Sequence, residues 1–477
     1  MKKNKLYILV ALIFMISSCA KELNKININP NATENAQPDY LLTAAIKTTA
    51  DTYWGVDNNM NSSLLFVQHW AKIQYTEQDR YIFSNSSFTS LWSIGLSKSI
   101  TGLNKVINLS TSLNNPNYKG VGLVLRSWVF LLLTDAYGDI PYKQAGNIDS
   151  FITPKFDLQK DVYFGLLEDL KNAKLSFDPA AKPIAGDVIY NGNISQWKKL
   201  ANSLRLRIAL RIADREPEKA QQVLNELKNE GDPFISSNAD NAQLNYLSSP
   251  QQNPVSALFE TRNDYRISKT IVDKLFQLND PRLPIYASKT ETATPQQYVG
   301  VPNGLTTSDA SNLGFSKTSK PGDYFKQPQA PAVIFSYSEL LFDRAEAAAR
   351  GFTNEDAADL YSQAIKASLN QYNISDAQTA IYLAQPAVQY DAANFKKSIG
   401  EQKWIALYGE GLEAFAEWRR LDYPQLQPAV AGVLNGEIPL RFIYPGTEQS
   451  LNGQNYKSAV ADQGPDLLTT KLWFDVN

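Results

Sequence analysis

The chain has 477 residues, 43% of them hydrophobic and 20% charged, which is the composition of a folded protein with a sizeable core and excludes wholesale disorder. Its 46 basic and 48 acidic side chains leave a net charge of -2, so no basic excess exists to neutralise a nucleic-acid backbone. A single histidine, His69, and a single cysteine, Cys19, rule out multi-histidine zinc sites and any disulfide within the chain.

The N-terminus reads as an address. Lys2, Lys3 and Lys5 precede an apolar run from Leu6 to Ile16, too short for a membrane span of about 20 residues but suited to a signal peptide. Ile16-Ser17-Ser18-Cys19 resembles the bacterial lipoprotein box, which implies cleavage before Cys19 and lipid on its thiol and new amine. Residues 1–18 are thus expected to be a signal peptide, and 19–38 a lipidated leader rich in Asn and Pro. Removing the three lysines leaves 43 basic against 48 acidic residues, a net charge of -5.

Helical periods dominate the body, expected as one unit over 39–477. Helix pairs are expected at about 40–136, 159–213, 337–371 and 395–421. Val121 to Leu133 is interrupted by Gly122, Arg126 and Ser127 and reads as a buried helix. Val162, Leu166, Leu170 and Ala173 form one amphipathic stripe, and Trp197, Leu200, Leu204 and Ile208 another, with Ser195 as its expected cap. The arginines Arg205, Arg207 and Arg211 spread around that helix and read as solvated charge with a salt bridge or two. Ser336 and Glu339 fit a capping box, Gly351 a stop, and Asn354 the cap of the next helix. There Ala357, Tyr361 and Ala364 reproduce the spacing of a tetratricopeptide second helix, so the fold class is mostly α, a superhelical body of helix pairs with few short strands. A loop-rich insertion is expected over about 215–334 and an irregular segment over 428–477, with a short strand at 440–445.

Residues 70–92 hold many aromatic and charged side chains without a helical period, among them Tyr75, Asp79, Arg80, Tyr81 and Trp92. The insertion adds Tyr298, Phe315 and Tyr324. Rings and planar polar groups of this kind can line a small-ligand pocket, so these eight residues are the candidate ligand contacts. His69, beside Trp70, reads as a packed side chain. No catalytic, metal or cofactor site is expected, and no segment marks the paired carboxylates of a glycoside hydrolase.

Taken in order, Asn27-Ile28-Asn29-Pro30-Asn31, Tyr137-Gly138-Asp139-Ile140-Pro141-Tyr142, Asp280-Pro281-Arg282, the helix from Trp197 to Arg207, Glu417-Trp418-Arg419-Arg420 and Leu472-Trp473-Phe474 resemble the motifs of SusD/RagB-like nutrient-binding lipoproteins. That resemblance implies an outer-membrane lipoprotein facing the cell exterior that binds an oligosaccharide without turning it over. It also implies delivery to a SusC-like TonB-dependent transporter. In starch-binding members the site is built by an early loop and a late insertion. Alternatives are a peptide-binding relative of the same fold and, less directly, a carboxylate-dependent glycoside hydrolase.

Overall fold

The computed structural model describes residues 37–476 except Ala293; Cys19, the signal peptide and most of the leader lie outside the described residues. Helix α1 (Pro38–Tyr53) opens with proline at its first turn and packs on α2 (Thr101–Ser112). Helix α3 (Pro116–Tyr137) is capped by the Asn115 side chain, which accepts from the Asn117 N–H at 3.2 Å, and stops at Gly138, whose φ of 88° admits no ordinary side chain. By length and composition α3 could cross a membrane, yet 94% of its apolar window is buried between α2 and α4 (Gln159–Ser176), as expected for a core helix.

Helix α5 (Ile194–Arg211) follows, packed on α4. Its cap is Asn193, not Ser195: the Asn193 side chain accepts from the Ser195 N–H at 3.1 Å. Helix α6 (Pro217–Glu230) then packs on α5, so the first turns of the expected insertion belong to the helical body. Its stripe of Ala220, Val223, Leu224 and Leu227 is buried and stands at helical spacing.

Helix α7 (Tyr337–Ala349) starts where the Ser336 side chain accepts from the Glu339 N–H at 3.1 Å. The Glu339 carboxylate does not close the capping box; it is spent on Arg207 instead. Helix α8 (Ala357–Gln371) is capped by Asp356 rather than Asn354. Tyr361 packs edge-on against Phe342, and Ala364 lets α7 approach closely enough for Ser338 Oγ to donate to its carbonyl at 2.8 Å. Helices α9 (Phe395–Ala406) and α10 (Gly411–Leu421) make the last pair.

The arginines of α5 are interior, so their charge is not solvated, and the expected salt bridge or two is part of a larger network. Arg207 makes two bonds to Glu339, of 2.7 and 2.6 Å. Arg211 reaches Glu417 at 2.5 Å, Glu413 at 2.7 Å and Asp135 at 3.1 Å. Lys403 joins Asp343 at 2.5 Å to Glu417 at 2.7 Å, and Arg420 bonds Glu346 and Glu417. One buried ion network therefore fastens α3, α5, α7, α9 and α10 to each other. Such a network stands only because each charge is answered, since an isolated buried charge is strongly unfavourable.

Among the described residues four short strands complete the scaffold: β1 (Trp70–Lys72), β2 (Ala242–Leu244), β3 (Tyr265–Ile267) and β4 (Ala332–Phe335). They form two antiparallel pairs, β1 with β3 and β2 with β4. No strand forms at 440–445. The N–H groups of Leu440 and Arg441 both turn to the Leu468 carbonyl, and helices at Gly446–Leu451 and Gly453–Gln463 follow.

Candidate functional site

Strand β1 registers against β3 with Trp70 opposite Ile267 and Lys72 opposite Tyr265. The loop leaving β1 therefore stands beside the loop entering β3, and the Ile73 N–H donates to the Asp264 carbonyl at 2.9 Å. Tyr75 projects from this early loop in a left-handed conformation, φ 54°, and is half-exposed. The Arg262 guanidinium lies over its ring at 4.9 Å and is held by Asp264, whose Oδ1 accepts from Arg262 Nε at 2.9 Å. The short β-pair thus joins an early loop to the insertion.

Beyond Arg262 the insertion folds around a single helical turn, Asp323–Lys326, with a cleft on either side. The first cleft, about 480 Å³, is lined by Phe259, Glu260, Arg262, Lys320 and Lys326. The second, about 470 Å³, is lined by Lys289, Tyr298, Tyr324, Gln371 and Tyr372. Asp323 borders both. Each volume lies within the range of small-ligand pockets, about 300–1,000 Å³. Tyr324 stands edge-on to Tyr372, ring centroids 5.1 Å apart, and to Phe325 beneath it. Phe325 in turn meets Tyr408, which stacks on Tyr286 at 4.2 Å. A layered aromatic floor therefore fixes the half-buried ring of Tyr324. Burial raises the phenols of Tyr298 and Tyr324, so both remain protonated and able to donate at neutral pH.

Tyr298 and Tyr324 share one cleft, and Tyr75 borders the other through Arg262. Phe315 is half-buried with Arg266 over its ring at 5.4 Å and lines neither cleft. Arg80 is half-buried and directed away, its Nε donating to the Ala431 carbonyl at 3.0 Å. Three of the expected contacts are interior, which removes them as ligand-facing groups. Tyr81 is 1% exposed and packs edge-on to Phe66. Trp92 is 4% exposed among Tyr137, Phe156 and Tyr444, with Nε1 donating to Glu448 at 2.9 Å.

Asp79, fully buried, is a latch rather than a contact. It accepts from the Lys72 N–H at 3.0 Å and from Asn303 Nδ2 at 2.8 Å, and Asn303 also donates to the Trp70 carbonyl at 2.8 Å. Burial pushes its carboxyl up to about 6 against the hydrogen bonds from Gly304, Lys72 and Asn303 that hold it down. His69 is buried with Nε2 3.0 Å from the Trp404 carbonyl, and burial lowers it to about 3, so it stays neutral and packed. Arg262, Lys326, Gln371 and Tyr372 were not legible as site residues. Tyr372 and Gln371 come from the end of α8, far away in sequence.

Residues 30–445 match the family model SusD-like_2, described as starch-binding and associating with the outer membrane. Among curated proteins none matches. Many solved structures share the fold. A chitin-binding protein superposes with a TM-score of 0.84 at 30% identity, over 92% of this chain and 100% of its own. A SusD homolog from Bacteroides uniformis gives 0.82 at 26% identity, over 92% and 100%. A chitin-binding SusD homolog from Flavobacterium johnsoniae gives 0.82 at 24% identity, over 91% and 99%, which speaks for the fold.

Proposed function

The chain belongs to the SusD-like family, and from that premise we propose that it is a surface lipoprotein that captures an oligosaccharide and passes it to a SusC-like TonB-dependent transporter. The glycan lies in the two clefts beside Asp323–Lys326. Tyr298 and Tyr324 supply flat faces there, Tyr75 backed by Arg262 extends them, and Asp323, Lys326 and Gln371 meet hydroxyls. The observation that carries this reading is the β1–β3 register, which sets the early loop against the insertion. Binding proceeds without turnover. Cys19 is the lipid attachment point.

The similarity to a chitin-binding protein at 30% identity makes chito-oligosaccharides the first ligands to test. Calorimetric titration with chitohexaose, and with maltohexaose as comparison, is the direct measurement. Tyr298→Ala combined with Tyr324→Ala should weaken binding at least about tenfold, or roughly 1.4 kcal/mol, while leaving the unfolding midpoint close to that of the parent. Unchanged affinity in this pair and in Tyr75→Ala would remove the clefts from the function.

A further inference from the structure

A third cleft, about 490 Å³, opens at the end of the helical body where α3 stops, α4 starts and α5 stops. It shares no lining residue with the clefts beside Asp323–Lys326. Its wall is Trp473, the indole of the C-terminal motif, half-buried. One side of that ring rests against Tyr163, centroids 6.1 Å apart, and the buried Tyr163 hydroxyl donates to Asp135 at 2.5 Å. Arg215 Nε donates to the Trp473 carbonyl at 2.6 Å. The indole is therefore a fixed plate with a fixed backbone.

Facing the same cleft is Asp139, from the Tyr137–Tyr142 motif that no part of the preceding function uses. It is 4% exposed, and its Oδ1 accepts from the Gln159 N–H at 2.7 Å. Its second oxygen, Oδ2, takes no hydrogen bond from the described residues and is not sealed from solvent, so it is open to a donor in the cleft. Asp462, exposed at the end of the helix Gly453–Gln463, supplies a second acid. Among the described residues that line the cleft, three carboxylates (Asp139, Asp462, Asp475) balance three cations (Lys160, Arg215, Lys471). That balance disfavours an anionic polymer and a metal cation alike. A flat indole, an acceptor awaiting a donor and electrical neutrality match a neutral, hydroxyl-rich ligand.

We propose that this cleft is a second saccharide site, of disaccharide size, in which a sugar ring lies on Trp473 and a hydroxyl donates to Asp139 Oδ2. It rests on the reading that the chain binds glycan, and it adds a binding surface independent of the first. The test uses the full chain in detergent, labelled with 5-fluorotryptophan, and N,N′-diacetylchitobiose and maltose as probes. The Trp473 fluorine resonance, assigned by Trp473→Phe, should shift on addition of at least one probe. The shift should persist in the Tyr298→Ala, Tyr324→Ala variant. Asp462→Lys, at an exposed position that does not threaten folding, should raise the half-saturating concentration about tenfold. A resonance that stays unmoved at millimolar probe while chitohexaose still binds overturns the second site and leaves the first. A shift that disappears with the Tyr298 and Tyr324 substitutions also overturns it, because the two sites would then be one. Absence of any saccharide binding overturns both.

Discussion

Asp79 shows how a residue would govern the proposed ligand site without touching ligand. Its carboxylate receives the Lys72 N–H and Asn303 Nδ2, and so fastens the loop bearing Tyr75 to the insertion. Asp79→Ala would strand those donors in the interior, each at about 1–3 kcal/mol. The variant should lose several kcal/mol in denaturant unfolding and bind glycan more weakly. Equal stability in Asp79→Ala would show that the latch is not made. Trp92→Ala belongs to the same scale. A buried indole truncated to alanine costs about 3–5 kcal/mol, so the effect should appear as lowered stability rather than as a selective binding defect. The segment 70–92 was legible as important and illegible as to direction. Aromatic density is the same for a core and for a platform, and without a period nothing in the sequence says which side faces solvent. That Tyr298 and Tyr324 reach a cleft was legible because large rings in a polar, Gly- and Pro-rich stretch have little local core to enter.

Among the elements, the stripes of α4, α5 and α7 were legible because one face of a helix must be apolar to pack, and burial follows their spacing. The charges of α5 were not legible, since an arginine has the same spelling in solvent and in a network. Their partners on α7 and α10 lie more than a hundred residues away in sequence, as Arg207 and Glu339 show. Helix α6 escaped because its stripe is short and framed by Gln, Asn, Glu and Lys. The network makes two predictions. Glu417 answers Arg211, Lys403 and Arg420 together, so Glu417→Ala should destabilise the body by about 3–5 kcal/mol, whereas Glu355→Ala, on an exposed pair with Arg344, should change stability by less than about 1 kcal/mol. Equal effects would contradict the burial argument. The second concerns acid. Burial tends to raise Asp214, but the hydrogen bond and charge of Arg350, with Lys396, hold it at about 2 against an ordinary 3.8. A depressed carboxylate stabilises the fold fully above its unfolded value and loses that contribution as pH falls through the folded one. The unfolding midpoint should therefore drop between about pH 4 and pH 2, and Asp214→Asn should flatten that drop.

At the scale of the whole molecule, the question is what keeps the body at a membrane. Helix α3 is apolar enough to suggest a span, but its buried position spends that surface on α2 and α4 and leaves none for lipid. On the proposed reading attachment falls to Cys19, the sole thiol of the chain, at the end of a short apolar run. Each acyl CH₂ buried in a bilayer contributes about 0.8 kcal/mol, one chain gives only reversible binding, and several chains hold durably. The full-length protein should therefore sediment with outer membranes and resist salt extraction, since hydrophobic anchoring is insensitive to ionic strength while a chain of net charge -2, or -5 after the proposed cleavage, gains nothing from anionic headgroups. Cys19→Ala should move it to the soluble fraction with its glycan affinity intact, because both clefts beside Asp323–Lys326 are built from residues well inside the folded body. If Cys19→Ala stays with the membrane, the transporter becomes the discriminating variable: release on deletion of the barrel would assign retention to the protein complex, and retention without either would refute the anchor at Cys19.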